Sequence, residues 1–149
     1  MYYELLYKST CVLDDLSSSD LDHILVNARS SNVSNGVTGM LIFYKKQFLQ
    51  LLEGKKDSVE YIYKSKIEKN NMHTDLKVLY SGKTKKRSFE KWSMGFCSKI
   101  DLPTHSHENF NLSSISQLVD NLTISAKNAP LSHGVSEFIY TYHLMRKLT

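Results

Sequence analysis

The stretch Phe48-Leu49-Gln50-Leu51-Leu52 is apolar on every position except one, which is a primary amide. Successive side chains of a strand point to opposite faces, so a strand of this composition buries both of its faces. A sheet built around it needs two covers, one on each side. The rest of the chain supplies them.

Residues 2–8 read as a strand with Tyr3, Leu5 and Tyr7 on one side. Ser17 and Asp20 make an N-cap pair for a helix in which Leu21, Ile24, Leu25 and Ala28 follow the i, i+3, i+4, i+7 spacing. Asn32 to Gly39 reads as a turn-rich link. Met40 to Tyr44 and Gln47 to Glu53 then read as a hairpin around Lys45-Lys46. Val59, Ile62, Tyr63 and Ile67 form the stripe of a second helix, and residues 75–81 and 92–98 read as two further strands around the solvated basic loop Lys83–Arg87. The order β-α-β-β-α-β-β predicts an α+β protein, a ferredoxin-like sandwich in its first six elements.

Beyond Pro103 the texture changes. Ile115, Leu118, Val119 and Leu122 make a third stripe, and Val135, Phe138, Ile139 and Tyr142 a fourth. Two additional C-terminal helices, at about 113–126 and 134–147 and separated near Pro130, are expected to cover the second sheet face. The expected organisation is a unit at 1–99 and a two-helix extension at 100–149 packing on the sheet.

A length of 149 residues suits one such unit with its appendages. Lys and Arg exceed Asp and Glu, 19 to 15, but the cations are scattered, which argues against direct nucleic-acid binding. Cys11 and Cys97 have neither metal-ligand nor redox spacing, and His105 and His107 read as solvated loop residues, so no metal is expected. No leader or membrane-length apolar run is evident, and the expected setting is a bacterial-style cytoplasm with reduced thiols.

Gln50 is the residue that asks for chemistry. A buried amide with unmet partners costs about 1–3 kcal/mol per group, so something polar belongs opposite it. On this segment alone, a structural glutamine bonded to backbone or buried water accounts for it equally well. Taken singly, Tyr7 reads as a core tyrosine with its hydroxyl at a rim, and Asn32 as a helix-end or turn residue.

Together these residues lie within blocks that resemble the BLUF family, blue-light sensors using flavin. The matching blocks are Leu5-Leu6-Tyr7-Lys8-Ser9, Asp20-Leu21 through Ile24-Leu25, Ala28-Arg29-Ser30-Ser31-Asn32, Gly36-Val37-Thr38-Gly39-Met40-Leu41, Phe48-Leu49-Gln50-Leu51-Leu52-Glu53-Gly54 and Phe89-Glu90-Lys91-Trp92-Ser93-Met94-Gly95-Phe96. The resemblance implies a flavin held non-covalently between the first two helices, with Tyr7, Asn32 and Gln50 at its polar edge. The amide of Asn32 would anchor the ring, matching its acceptor–donor edge.

The resemblance also implies light-driven electron and proton transfer from Tyr7, after which Gln50 holds rearranged hydrogen bonds and absorption shifts to the red without net redox change. Trp92 and Met94 match a readout pair near the glutamine. The implied cofactor is FAD, with FMN or riboflavin as alternatives. The implied output runs to a protein partner or through a homo-oligomer, with no enzymatic activity in the chain.

Two departures stand out. Lys46 occupies a hairpin position where the family commonly has glycine, and Asn71-Met72-His73 lacks the usual arginine before its histidine. The phosphate grip is therefore expected from Lys69, His73 or Arg29. Competing readings are a light-independent flavin-binding protein, a small ferredoxin-like enzyme and an RNA-binding module. No nucleophile–base pair supports the second, and no aromatic-rich strand signature supports the third.

Overall fold

The computed structural model describes residues 1–14, 16–90, 93–98, 115–127 and 129–147. In chain order these form β1 (Tyr2–Cys11), α1 (Ser18–Asn35), β2 (Thr38–Tyr44), β3 (Gln47–Gly54), α2 (Lys56–Ile62), β4 (His73–Thr84), β5 (Gly95–Ser98), α3 (Ile115–Ser125) and α4 (His133–Lys147). A π-helical turn, Tyr63–Ile67, continues α2.

The sheet has the order β4-β1-β3-β2-β5. β1 is antiparallel to β3 and β4, β2 is antiparallel to β3, and β5 joins β2 in parallel. The first four strands thus make the ferredoxin-like sheet expected from the element order, with β5 added at one edge.

The doubly apolar β3 is buried on both faces. Leu5, Tyr7, Leu41, Phe48 and Leu52 pack on one side with Leu21 and Leu25 of α1 and Val59 and Ile62 of α2. On the other side Leu6, Met40, Leu49 and Leu51 pack with Leu118 and Val119 of α3 and Val135, Phe138 and Tyr142 of α4. The two C-terminal stripes therefore cover the face the first two helices leave open.

Local chemistry explains the element ends. Ser17 and Asp20 form a capping box at the start of α1, each side chain accepting from the other's backbone N–H at 3.0 and 3.1 Å. The helix runs past the expected turn at Asn32, because its stop is Gly36, in the left-handed conformation at φ 65°. Asn32 is thereby a buried helical residue rather than part of a link.

In the β2–β3 turn, Lys45 and Lys46 both have positive φ, 49° and 66°. That geometry suits the right-handed twist of a two-residue hairpin but strains non-glycine residues by about 1 kcal/mol or more each. Phe43 and Phe48, paired across the turn with ring centroids 4.8 Å apart, help to offset the strain.

β5 begins at Gly95, later than the strand expected from residue 92, so Met94 precedes it. Side chains of α1 take the carbonyls here: Asn32 Nδ2 donates to Ser93 O at 2.6 Å and Arg29 Nε to Met94 O at 3.0 Å. Trp92, His105, His107 and the expected boundary at residues 99 and 100 lie outside the described residues.

The second sheet face also buries two carboxylates that pattern reading did not single out. Glu4 and Glu53 are direct cross-strand partners, 1% and 0% exposed. Glu4 accepts from Ser132 Oγ and Gly134 N, both at 2.8 Å, and so caps the first turn of α4. Glu53 accepts from the N–H groups of Ser88 and Phe89 at 2.8 and 2.5 Å and from Thr38 Oγ1 at 3.1 Å. Burial raises the Glu53 pKa above the usual carboxylate value, against the opposing effect of those hydrogen bonds and of Arg87.

Candidate functional site

The first sheet face carries a cavity of about 670 Å³ between α1, the end of α2 and the sheet. Ile24, Leu41, Phe48 and Ile62 make its apolar walls, and Tyr7, Asn32 and Gln50 its polar groups toward the sheet. This volume and mixed lining are those of a small-molecule site.

The polar group is assembled by strand register. Tyr7 on β1 and Gln50 on β3 face each other across the ladder, and the Tyr7 hydroxyl donates to Gln50 Oε1. Gln50 Nε2 lies 3.3 Å from Met94 Sδ. Both residues are buried, Tyr7 at 4% and Gln50 at 5% exposure. Burial pushes the Tyr7 pKa well above the ordinary tyrosine value, with the neighbouring Tyr63 adding to the rise. The Tyr63 ring meets Tyr7 edge-on at 5.6 Å. At neutral pH the Tyr7 hydroxyl is therefore a donor.

Of the sequence-predicted residues, Tyr7, Asn32 and Gln50 converge at the cavity, and Met94 stands against Gln50. His73 also lines the cavity, with Nε2 2.8 Å from Ile67 O and Nδ1 2.8 Å from Ser9 Oγ. Because the carbonyl only accepts, Nε2 carries the hydrogen there, and in the neutral ring Nδ1 accepts from Ser9. Lys69 is exposed and does not line the cavity, and Arg29 reaches Met94 O.

Lys66 and Asn70 line the cavity and were not singled out from sequence. The spacing of four between Ile62 and Lys66 was the available signal. The π-helical turn makes it plain: with more residues in each turn, Ile62, Lys66 and Ile67 all come to the lining. Among the described residues no cluster of His, Cys, Asp or Glu could hold a metal ion, and no helix is long and apolar enough to cross a membrane.

A ferredoxin-like sheet with a deep pocket under its first two helices, lined at the sheet by a tyrosine–glutamine pair, defines a small-ligand-binding α+β domain. The chain matches the BLUF family, sensors of blue light using FAD, over residues 2–95. It belongs to that family of flavin-based blue-light sensors.

Among relatives, it is 30% identical over 90 residues to the photoactivated adenylate cyclase subunit beta of Euglena longa, covering 60% of this chain and 10% of that one. The chain thus spans about a tenth of the length of this curated relative. The ground-state structure of BlsA matches with TM-score 0.63 and 28% identity, over 89% of this chain and 90% of that one. A structure of Klebsiella pneumoniae BlrP1 with FMN and cyclic diGMP matches with TM-score 0.60 and 32% identity, over 66% of this chain and 26% of that one.

The residues present fit a flavin. The walls are apolar as a tricyclic ring requires, Asn32 and Gln50 bring amides that both donate and accept, and Lys66 supplies a cation at the lining.

Proposed function

We propose that this chain is a blue-light receptor in which Tyr7 is the electron and proton donor and Gln50 the group whose hydrogen bonds change. The observation that carries the reading is the continuous contact from Tyr7 hydroxyl to Gln50 Oε1 and from Gln50 Nε2 to Met94 Sδ. Asn32 and Gln50 would hold the ring edge of the flavin, and Lys66 with Asn70 stands where its polar tail can be met. We take the flavin to be FAD in the cell, with FMN or riboflavin able to replace it, since the apolar walls and amides meet the ring and not the phosphates.

When bound, the flavin supplies blue absorption and, once excited, an acceptor for one electron. The chain supplies the donor and the path for its proton. A tyrosine ring that gives up an electron acidifies its hydroxyl sharply, and the Tyr7 hydrogen already points at Gln50 Oε1. An amide has an acceptor and a donor end, so rotation or tautomer exchange of Gln50 reverses what it offers to Tyr7 and to Met94. Once Tyr7 recovers its electron and proton, no net redox change remains. The persistent difference is the set of bonds that Gln50 makes. Burial of the pair in an apolar strand keeps water from erasing that difference.

Output is proposed to pass to a protein partner or to a second copy through α3 and α4, which cover the sheet face opposite the cavity. The unit at 1–99 would sense and the segment at 100–149 would report, in the cytoplasm. Two of the named relatives are longer chains, a photoactivated adenylate cyclase subunit and BlrP1, seen with FMN and cyclic diGMP, while BlsA matches over 90% of its length, which supports a sensing role for a unit of this size.

The test is an absorption spectrum of the purified protein before and after blue light. A yellow protein whose bands move to the red and recover in the dark is expected. A colourless protein that takes up no flavin sinks the reading, and a yellow protein without a shift leaves light-independent flavin binding in its place.

A further inference from the structure

Ser93 and Met94 sit at a bend just before β5, ahead of the register that pairs Gly95 with Met40. What holds this bend is α1. Arg29 and Asn32 are three residues apart and leave the same face of the helix. Arg29 Nε donates to Met94 O at 3.0 Å, and Asn32 Nδ2 to Ser93 O at 2.6 Å. The cavity lining passes from Ala28 to Ser31 and Asn32 without including Arg29.

Met94 is 1% exposed and its sulfur meets the Gln50 amide. A methionine side chain has three rotatable bonds, so the position of its sulfur is set by the backbone anchor together with the packing around the buried side chain. Gly39 leaves room for it: a Cβ there would come within 3.3 Å of Met94 Cε and within 2.0 Å of Leu51 O. A guanidinium N–H to a carbonyl is a charge-assisted bond, stronger than a neutral one.

We propose that Arg29 is a positioning residue for the light response rather than a phosphate ligand. Through the Met94 carbonyl it sets where Met94 Sδ meets the Gln50 amide, and so governs how long the rearranged amide persists after light. The inference rests on the role given to Gln50 above. The cavity wall and the segment entering β5 are then one mechanical unit, because the helix that walls the ligand also holds the backbone facing its switch.

The experiment uses the full chain loaded with FAD or with riboflavin. Arg29→Met keeps the aliphatic stem and removes the donor, while Arg29→Lys returns a cationic donor. Arg29→Met is expected to bind both flavins as the unsubstituted chain does and still to shift to the red, but with its dark-recovery rate changed by about tenfold. Its light-minus-dark infrared bands of the Gln50 carbonyl should move as well. Arg29→Lys should bring both back toward the original values.

Where Arg29→Met does not fold, the equally donor-free Arg29→Leu is read in the same way. Recovery and infrared bands unchanged in the donor-less variant overturn the proposal. So does a selective loss of FAD over riboflavin affinity, which marks a phosphate ligand. If the unsubstituted chain itself binds flavin but shows no shift, the role of Gln50 fails first and the role of Arg29 with it.

Discussion

Tyr7 and Gln50 are direct cross-strand partners on β1 and β3, joined by a hydrogen bond from the tyrosine hydroxyl to the amide oxygen. Side chains opposite one another on an antiparallel pair start about 4.5–5.5 Å apart at Cβ, so register alone brings this donor and acceptor together. The pair sits in two adjacent strands of the sheet, both side chains buried. The geometry of the tyrosine–glutamine pair is thereby a consequence of sheet register.

Gln50→Leu removes the amide and keeps much of the volume, and Tyr7→Phe removes the hydroxyl. Both variants should retain flavin and lose the light-induced red shift. Absorption difference spectra after blue light check this, and a normal shift in either variant removes that residue from the photochemistry.

Asn32→Ala removes an amide that lines the cavity and also holds Ser93 O. At about 0.5–1.5 kcal/mol for one bond lost, flavin affinity should weaken by roughly twofold to tenfold. Fluorescence titration of the apoprotein measures it. Unchanged affinity would count against an anchoring role.

Tyr7 should not titrate in the folded protein where an ordinary tyrosine does, near about pH 10, because burial raises its pKa. The shift amplitude should therefore stay level from about pH 7 to about pH 10. Unfolded Tyr7 gives up its proton near about pH 10 while folded Tyr7 keeps it, so the folded state binds more protons there and stability falls as pH rises. Loss of the response above that pH should coincide with unfolding followed by circular dichroism. A loss of the shift near pH 10 in protein that remains folded would show Tyr7 ionising as an exposed phenol.

Gly134→Ala should loosen α4. A Cβ there would come within 2.6 Å of Glu4 Cδ, and the glutamate is fixed in β1 with its carboxylate on Ser132 and Gly134. Overpacking of this kind costs about 1–3 kcal/mol. The expected result is a lower unfolding midpoint and faster amide exchange in α4, with the dark flavin spectrum preserved because the cavity is on the opposite face. Normal exchange in α4 would mean that Glu4 does not hold the helix.

The chain's local patterns were enough for the elements and their layering. Period-two and helical stripes, the Ser17–Asp20 cap and the apolar β3 each depend on residues close in sequence, and each appears as expected. The doubly apolar β3 also required a second cover, which α3 and α4 provide. Tyr7, Asn32 and Gln50 could be named because they lie within recognisable blocks.

Tertiary packing decided the rest. The extent of α1 past Asn32, the late start of β5, the turn of Arg29 toward Met94, the entry of Lys66 into the cavity lining and the capping of α4 by Glu4 all depend on it. The side-chain bonds among these join residues 65 and 130 positions apart. Local periodicity can specify which face a residue occupies. Which distant backbone group then meets its polar end is set only when the sheet register and the two helical layers have closed around it.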